Sequence, residues 1–151
     1  MAQKDDCKPA NFHFVHYSNK KLTHIDNATQ ISTPFQFKPA GLWFSVETTG
    51  EDRDGWARWC RDNKFRLDYL THKTKLKLNL ARFLWIKEES QFDAFQTKYE
   101  IRDYPNWKRI AEKHDGIIIA PYLWSRRLDI ENLWYYPWDC ASGCVWNTAA
   151  I

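Results

Sequence analysis

The pattern of hydrophobic and polar positions near the start of the chain predicts a first β-strand. Residues 12–18, FHFVHYS, alternate aromatic or β-branched side chains with polar ones. Because successive side chains of a strand point to opposite faces of the sheet, His16 and Ser18 are expected on one face and Tyr17 on the other. Taken alone, His16 is as consistent with a structural histidine that hydrogen-bonds to the backbone at the end of a strand as with a functional one.

A second strand is predicted over residues 41–47, GLWFSVE. The same alternation places Trp43 and Ser45 on one face of this strand and Leu42 and Phe44 on the other. By itself the pattern is typical of an ordinary core strand with an amphipathic rim.

Further along the chain, helical periodicities alternate with short apolar runs. Helices are predicted where apolar residues recur three or four positions apart behind a capping residue, and strands where they alternate or run together. These elements are a helix over 55–63 capped by Asp54, one long strand or a hairpin within 70–86, a helix over 90–100 capped by Ser90, a helix over 105–114 with Pro105 near its first turn, a buried strand within 115–122, and one or two strands within 134–147. Residues 1–11 are polar and expected to be loose. The chain is therefore predicted to be an α+β protein with a single domain over residues 12–151.

Composition narrows the class of protein. Of the 151 residues, 44% are hydrophobic and 27% are charged, a balance typical of a globular protein with one core. Aromatic residues reach 17% and include 9 Trp, which suits a core and also a surface that stacks a planar ligand. Neither GxGxxG nor GxxxxGK[ST] occurs, so a glycine-rich phosphate loop is not expected. The net charge of +3 is too weak to indicate nucleic acid as the partner.

The 4 cysteines, Cys7, Cys60, Cys140 and Cys144, are expected to be reduced thiols. The first residues, MAQKDDCKPANF, lack the apolar stretch of a secretory signal, so an oxidising compartment is not indicated. Cys140 and Cys144 have no His or Cys neighbours at a zinc-binding spacing, and no metal site is predicted. No apolar run is long enough for a transmembrane helix, so a cytoplasmic protein without a membrane partner is expected.

The stretch from Trp134 to Trp146, WYYPWDCASGCVW, surrounds a single acid, Asp139, with aromatic residues. An ionised carboxylate costs several kcal/mol to bury unless it is paired or hydrogen-bonded. Asp139 is therefore expected either to have a structural partner, as a turn aspartate bonded to nearby amides would, or to supply negative charge to a dry site. Asp115, in HDGIII, is a rival acid, although a capping or turn role is favoured there.

The order of these segments resembles that of the ADP-ribosyltransferase fold. HFVHYS is similar to the strand of that family that carries a histidine, and KPAGLWFSVE is similar to the Gly-Ile-Tyr-Phe segment of its diphtheria-toxin-like and poly-ADP-ribose-polymerase branches. A helix and a late strand with an acid complete the order. Within that family, this chain looks most like the small toxin-type members, which are described as a His-Tyr-Asp group. The chain departs from the family at Trp43, where Tyr is usual, and at Asp139, where Glu is common.

The resemblance implies a split β-sheet half-barrel with peripheral helices. It also implies an NAD-dependent mono-ADP-ribosyltransferase, a toxin or effector domain acting in a cytoplasm on a macromolecular acceptor, which is protein or nucleic acid. An inhibitor or antitoxin partner is compatible with that role. The positions that match the family's motifs are expected to bind NAD through His16, Tyr17, Ser18, Gly41, Leu42, Trp43 and Ser142, and to catalyse its cleavage through Asp139, Trp43 and Ser45.

The chemistry of NAD cleavage gives these residues physical roles. Departure of nicotinamide leaves positive charge on the ribose, and a carboxylate beside that sugar stabilises the charge more strongly among apolar rings than in water. Nicotinamide is flat and cationic and would stack on Trp43 or Tyr17, contributing roughly 0.5–2 kcal/mol per contact. His16 or Ser18 would hydrogen-bond the adenosine-side ribose.

Two groups of basic residues are candidates for a pyrophosphate clamp or for a path along a phosphate-bearing target. They are Lys73, Lys75, Lys77 and Arg82 in one segment and Arg126 and Arg127 in the other. A solvated strand face is the simpler interpretation. Three other functions stay open, namely an RNA 2′-phosphotransferase, a non-catalytic nucleic-acid or nucleotide-binding module, and a small ribonuclease that uses His16 and Asp139 as acid and base.

Overall fold

The protein is described by a computed structural model over residues 12–31, 36–48 and 55–151. The loose segment predicted for residues 1–11 and the cap predicted at Asp54 lie outside these ranges. In chain order the elements are β1 (Phe12–Ser18), β2 (Leu42–Thr48), α1 (Trp56–Asn63), β3 (His72–Leu76), β4 (Phe83–Ile86), α2 (Glu89–Tyr99), β5 (Glu100–Ile101), β6 (Tyr104–Pro105), α3 (Trp107–Ala111), β7 (Gly116–Ile119) and β8 (Ser142–Val145).

Six of the strands form a mixed sheet in the order β3-β1-β2-β8-β7-β4, and β5 and β6 form a separate ribbon. Neighbouring strands of the sheet are antiparallel except β4 and β7, which run parallel. The prediction of an α+β fold with a single domain is confirmed. None of the helices in the described part of the chain has the length and apolar character that crossing a membrane requires.

Hydrophobic side chains cover both faces of the sheet, and the alternation along each strand divides them. One face packs Phe14, Phe44 and Ile118 together with Trp85 and the small residues near the C-terminus. The other face packs side chains of β7 and β8 against α2, α3 and the aromatic segment 122–138. Four Trp side chains of that second cluster are buried, Trp107, Trp134, Trp138 and Trp146. The core thus accounts for a large part of the tryptophan content.

One prediction of strands is wrong, and another is confirmed. Within residues 70–86 the chain forms neither one strand nor a hairpin, because β3 pairs with β1 at one edge of the sheet and β4 pairs with β7 at the other. A 3-10 turn, Leu80–Arg82, separates the two strands. Within residues 134–147 the structure has one strand, β8, as the prediction of one or two strands allows, while the range begins in the 3-10 helix Ile130–Tyr135. Their rings are buried by packing against the helices, which local alternation does not reveal.

The predicted helix caps also differ from the observed ones. Ser90 is the second residue of α2 rather than its cap, and its hydroxyl donates a hydrogen bond to the carboxylate of Glu88, the N-cap residue. Pro105 lies in β6, and Asn106 caps α3 by accepting a hydrogen bond from the amide of Arg109. Asparagine is a strong N-cap residue, which explains why α3 begins there.

Candidate functional site

The ladder between β1 and β2 stops part-way along both strands, and this opening creates the candidate site. The last residue pair between the two strands is Val15 with Ser45. Beyond it, β1 continues to Ser18 while paired only with β3, and the first part of β2, from Leu42, is paired only with β8. The sheet therefore opens between two strands that were expected to carry the site.

A cavity of ≈ 300 Å³ lies at this opening. Its walls come from the parting strands, from the start of α1 and from the loop before β8. Six of the residues predicted for the site line it, His16, Tyr17, Trp43, Ser45, Asp139 and Ser142. Unpredicted side chains also line it, among them Lys38, Trp56, Arg66, Tyr69 and Trp138. The fold thus brings together residues that are more than 120 positions apart in the sequence, from His16 to Ser142.

His16 bridges the two strands where their backbones no longer pair. Its Nδ1 lies 2.7 Å from the carbonyl oxygen of Trp43. Because a carbonyl can only accept, Nδ1 carries the proton and the neutral ring keeps a lone pair on Nε2. The expectation of a histidine bonded to backbone is therefore confirmed, and the same ring keeps a second nitrogen for a ligand hydroxyl.

Asp139 has the partner that its aromatic surroundings require. A guanidinium nitrogen of Arg127 lies 3.4 Å from Asp139 Oδ1, and each of the two side chains is 21% exposed. Burial raises the pKa of Asp139, and the positive charges of Arg127 and Lys38 partly oppose that shift. Arg127 is itself fixed by a 2.9 Å hydrogen bond to the hydroxyl of Tyr122 and lies 4.8 Å from the centroid of the Tyr136 ring. Asp139 precedes β8 in a loop and is not on a strand.

Ser45 and Ser142 face each other across β2 and β8 and are both buried. The Ser45 hydroxyl accepts a 2.9 Å hydrogen bond from the backbone amide of Trp56, which anchors the start of α1 to the sheet. The Ser142 hydroxyl donates to the carbonyl of Cys140. These bonds give both serines structural roles, although the hydroxyl proton of Ser45 is left to donate toward the cavity.

The cations that line the cavity are Lys38 and Arg66, which the sequence did not single out. The Lys38 ammonium lies 5.3 Å from the centroid of the Trp43 ring, and burial lowers the pKa of Lys38 although Asp139 opposes the shift. Arg66 has a left-handed backbone, with φ of 45°, and its guanidinium lies over Phe65 and Tyr69. The local sequence does not predict the left-handed backbone of Arg66, because few non-glycine residues adopt that conformation.

None of the basic residues predicted for a phosphate clamp lines this cavity, and Arg127 acts on it only through its pair with Asp139. Those of β3 and the following residue, Lys73, Lys75 and Lys77, are exposed along an edge strand, in agreement with the simpler interpretation. Arg82 lies 3.6 Å from Asp115, and Arg126 binds the carboxylate of Asp93 through two hydrogen bonds of 2.8 Å.

Three residues predicted to bind NAD do not line the cavity. The Ser18 hydroxyl donates to the carbonyl of Lys20, and Leu42 packs into the hydrophobic cluster on the opposite face of the sheet. Gly41 has a φ of 154°, and a Cβ there would lie 2.5 Å from the carbonyl oxygen of Val145. Gly41 is therefore required by close approach of two backbones. Tyr17 does line the cavity, and its hydroxyl donates to the carboxylate of Glu47.

Asp115 is held by structural contacts away from the cavity. Its carboxylate accepts a 2.9 Å hydrogen bond from the side-chain amide of Asn147, and its carbonyl accepts from the backbone amides of Trp146 and Asn147. These bonds join the start of β7 to the end of β8. The turn role favoured by the sequence is thus the one that the structure supports.

The cysteines of the described ranges, Cys60, Cys140 and Cys144, are free and buried, and Cys7 lies outside those ranges. Burial raises the pKa of each of the three thiols, to about 11 for Cys60. Cys140 borders the cavity, but a protonated thiol is a weak nucleophile. Over residues 12–31, 36–48 and 55–151, His, Cys, Asp and Glu side chains form no cluster that could hold a metal ion.

Comparison of the chain with protein-family models, with curated proteins and with solved structures finds no match in any of the three. The function of the protein is therefore inferred from its own residues and from the geometry of the cavity.

Proposed function

We propose that the protein is an NAD-dependent mono-ADP-ribosyltransferase. One observation carries the proposal: the opened ladder between β1 and β2 gathers His16, Trp43, Ser45 and Ser142 around one cavity with Asp139. These residues come from three separate segments of the chain, and each stands at a position where the resemblance predicts NAD binding or cleavage. A split between strands of the sheet is also the feature that the resemblance to ADP-ribosyltransferases implies.

The cavity suits the nicotinamide half of NAD. Its volume of ≈ 300 Å³ lies at the lower end of small-ligand pockets, about 300–1,000 Å³, so it suits part of a dinucleotide. The face of Trp43 already has a cation 5.3 Å from its centroid, the ammonium of Lys38, and is therefore able to accept the cationic nicotinamide ring in its place. Lys38 and Arg66 would then neutralise the pyrophosphate at the rim.

The residues of the chain have distinct roles in this scheme. NAD supplies a ribose whose bond to nicotinamide is weakened by the positive charge of the ring. Asp139 holds a negative charge at the cavity wall, where its low exposure strengthens its field on the ribose. Arg127 keeps that carboxylate oriented, and the free Nε2 of His16 accepts a hydrogen bond from a ribose hydroxyl.

The direct test is incubation of the purified protein with NAD labelled in its adenylate half. We expect two results: release of nicotinamide, measured by chromatography, and transfer of the label to a macromolecular acceptor. Asp139→Asn protein serves as the control for nonenzymatic release. If calorimetry detects no NAD binding and no nicotinamide appears, the proposal is wrong. The toxin or effector role, the cytoplasmic site of action and an inhibitor partner stay predictions.

His16→Asn tests the binding role of the histidine. The Asn amide still donates to the carbonyl of Trp43, so the bridge between the strands is kept while Nε2 is lost. Loss of one hydrogen bond of about 1 kcal/mol predicts about five- to tenfold weaker NAD binding in calorimetry. His24→Ala, an exposed histidine paired with Asp26, is the matched control. If His16→Asn and wild type bind NAD with equal affinity, His16 has no role in NAD binding.

An RNA 2′-phosphotransferase is the second candidate, because the structure brings two cations, Lys38 and Arg66, to the cavity. Such an enzyme must hold the phosphate of its RNA substrate with a basic cluster. An oligoribonucleotide with one internal 2′-phosphate, added to the NAD assay, separates the two functions. Loss of that phosphate from the RNA would favour this candidate, and label on an acceptor without such loss would favour transfer.

A further inference from the structure

A second cavity of ≈ 400 Å³ lies on the far side of Asp139. Asp139 and Cys140 border both cavities, while Trp59, Asp62, Asn63, Tyr122, Trp124 and Arg127 border only the second. A ligand in the second cavity would therefore meet the same carboxylate as a ligand in the first. This is the arrangement that a transfer reaction between two bound molecules requires.

Two stacked indoles on α1 connect the cavities. The rings of Trp56 and Trp59 are almost parallel, with 8° between their planes and 5.2 Å between their centroids. Trp56 borders the first cavity and Trp59 borders the second. Stacking covers one face of each indole, and Phe65 also contacts Trp59, with 79° between the ring planes and 5.5 Å between the centroids. What Trp59 still presents to the second cavity is available to a further flat ring.

Trp124 adds a second aromatic surface at the rim. It is 61% exposed, while its ring stands edge-on to the buried Tyr122 at 4.6 Å between centroids. Every nucleobase has a π-face that stacks on an exposed aromatic ring of this kind. The side-chain oxygen of Asn63 is left to accept, since its amide nitrogen donates to the carbonyl of Trp59.

The charges around the second cavity favour a neutral ring attached to a polyanion. Both carboxylates that border the cavity already have a guanidinium partner, because Asp139 pairs with Arg127 at 3.4 Å and Asp62 pairs with Arg58 at 3.1 Å. A guanidinium acceptor such as an arginine side chain would therefore have to compete for them. On the exposed side of α1 and just beyond it lie two further basic side chains, Arg61 and Lys64. Aromatic stacking beside basic side chains is the combination that binds single-stranded nucleic acid.

We propose that the second cavity is the acceptor site and that it takes an unpaired nucleobase of a single-stranded nucleic acid. The transfer step of this inference rests on the proposed function. Binding of the base does not depend on it. In that step a lone pair on a nitrogen or oxygen of the base forms a bond to C1′ of the nicotinamide ribose. The bond from C1′ to nicotinamide breaks, its electron pair stays with nicotinamide, and neutral nicotinamide leaves. The proton lost by the base passes to the Asp139 carboxylate and then to water.

Binding is tested first, without NAD, by fluorescence anisotropy of labelled oligonucleotides of about 16 nucleotides in mixed sequence. One arm uses DNA and the other RNA of the same sequence, and the arm with tighter binding identifies the source of the base. We expect Trp124→Ala to weaken binding about tenfold or more, because one stacking surface is lost. Ile130→Ala is the matched control, since Ile130 is 81% exposed in the same segment of chain and does not border the cavity.

Transfer is tested next with labelled NAD, the better-bound oligonucleotide and polyarginine as a protein-like acceptor. Label on the oligonucleotide, lost in Trp124→Ala, supports the proposal. Label on polyarginine alone, or oligonucleotide affinity equal in Trp124→Ala and wild type, overturns it while leaving the proposed function in place. Oligonucleotide binding that depends on Trp124, without any nicotinamide release, supports the base-binding cavity and overturns the proposed function instead.

Discussion

Asp139→Asn is expected to lower the rate of nicotinamide release by about two to three orders of magnitude while NAD affinity changes little. The substitution keeps the shape of the side chain and deletes its charge, which acts only as positive charge develops on the ribose. Because Asp139 lies against Trp138 and Cys140 with low exposure, its field is screened less than at an open surface. The effect should therefore fall on turnover and not on ground-state binding.

The measurement is nicotinamide release and calorimetric NAD affinity, each corrected for the folded fraction. Asp115→Asn is the matched control, because Asp115 is a rival acid whose contacts are with Asn147 and Arg82 and not with the cavity. It should lose some stability and keep its turnover per folded molecule. Normal turnover in Asp139→Asn together with an inactive Asp115→Asn would transfer the role to Asp115 and contradict the site.

Arg127→Met is expected to destabilise the protein by about 1–3 kcal/mol at neutral pH, because it leaves the Asp139 carboxylate half-buried without its nearest countercharge. Burial already raises the pKa of Asp139 above the usual value of 3.8, and loss of the Arg127 charge should raise it further. A carboxyl with a raised folded-state pKa costs no stability below its unfolded pKa and progressively more as pH rises through the folded value. The deficit of Arg127→Met relative to wild type should therefore grow from acid to neutral pH.

Denaturant unfolding across that pH range checks this prediction, and the double variant Arg127→Met with Asp139→Asn should recover much of the loss. Activity offers a second readout, since the rising limb of the pH–rate profile should move to higher pH in Arg127→Met. Arg126→Met is the control, because the neighbouring Arg126 pairs with Asp93 at the surface. A stability deficit that does not change with pH would mean that Arg127 acts only by packing against Tyr122 and Tyr136.

Local sequence was sufficient for the elements that form the site. The period-two alternation identified β1 and β2 and assigned the opposite faces of Trp43 and Phe44, because each depends only on neighbouring residues. The helices were found for the same reason, with errors confined to their caps. The sequence also showed that Asp139 is surrounded by aromatic residues. A buried carboxylate needs a partner in any fold, because burial without one is unfavourable.

Tertiary structure decided where the sheet opens between β1 and β2 and which charged side chains form ion pairs. The ladder between β1 and β2 ends at Val15 and Ser45 because each strand finds a different partner beyond that pair, and those partners are distant in sequence. No local pattern distinguishes Arg127, which binds Asp139, from Arg126, which binds Asp93. The cations at the cavity, Lys38 and Arg66, reach it through loops.

The sequence by itself determined a single α+β domain, its first two strands, and the candidate residues His16, Trp43, Ser45, Asp139 and Ser142. Only the tertiary structure decided that β3 and β4 lie at opposite edges of the sheet, that Ser18, Gly41 and Leu42 lie outside the cavity, and that a second cavity shares Asp139. The physical reason is range: side-chain alternation and helix periodicity act within a few residues, whereas strand pairing and ion pairing join segments whose separation along the chain carries no local signal.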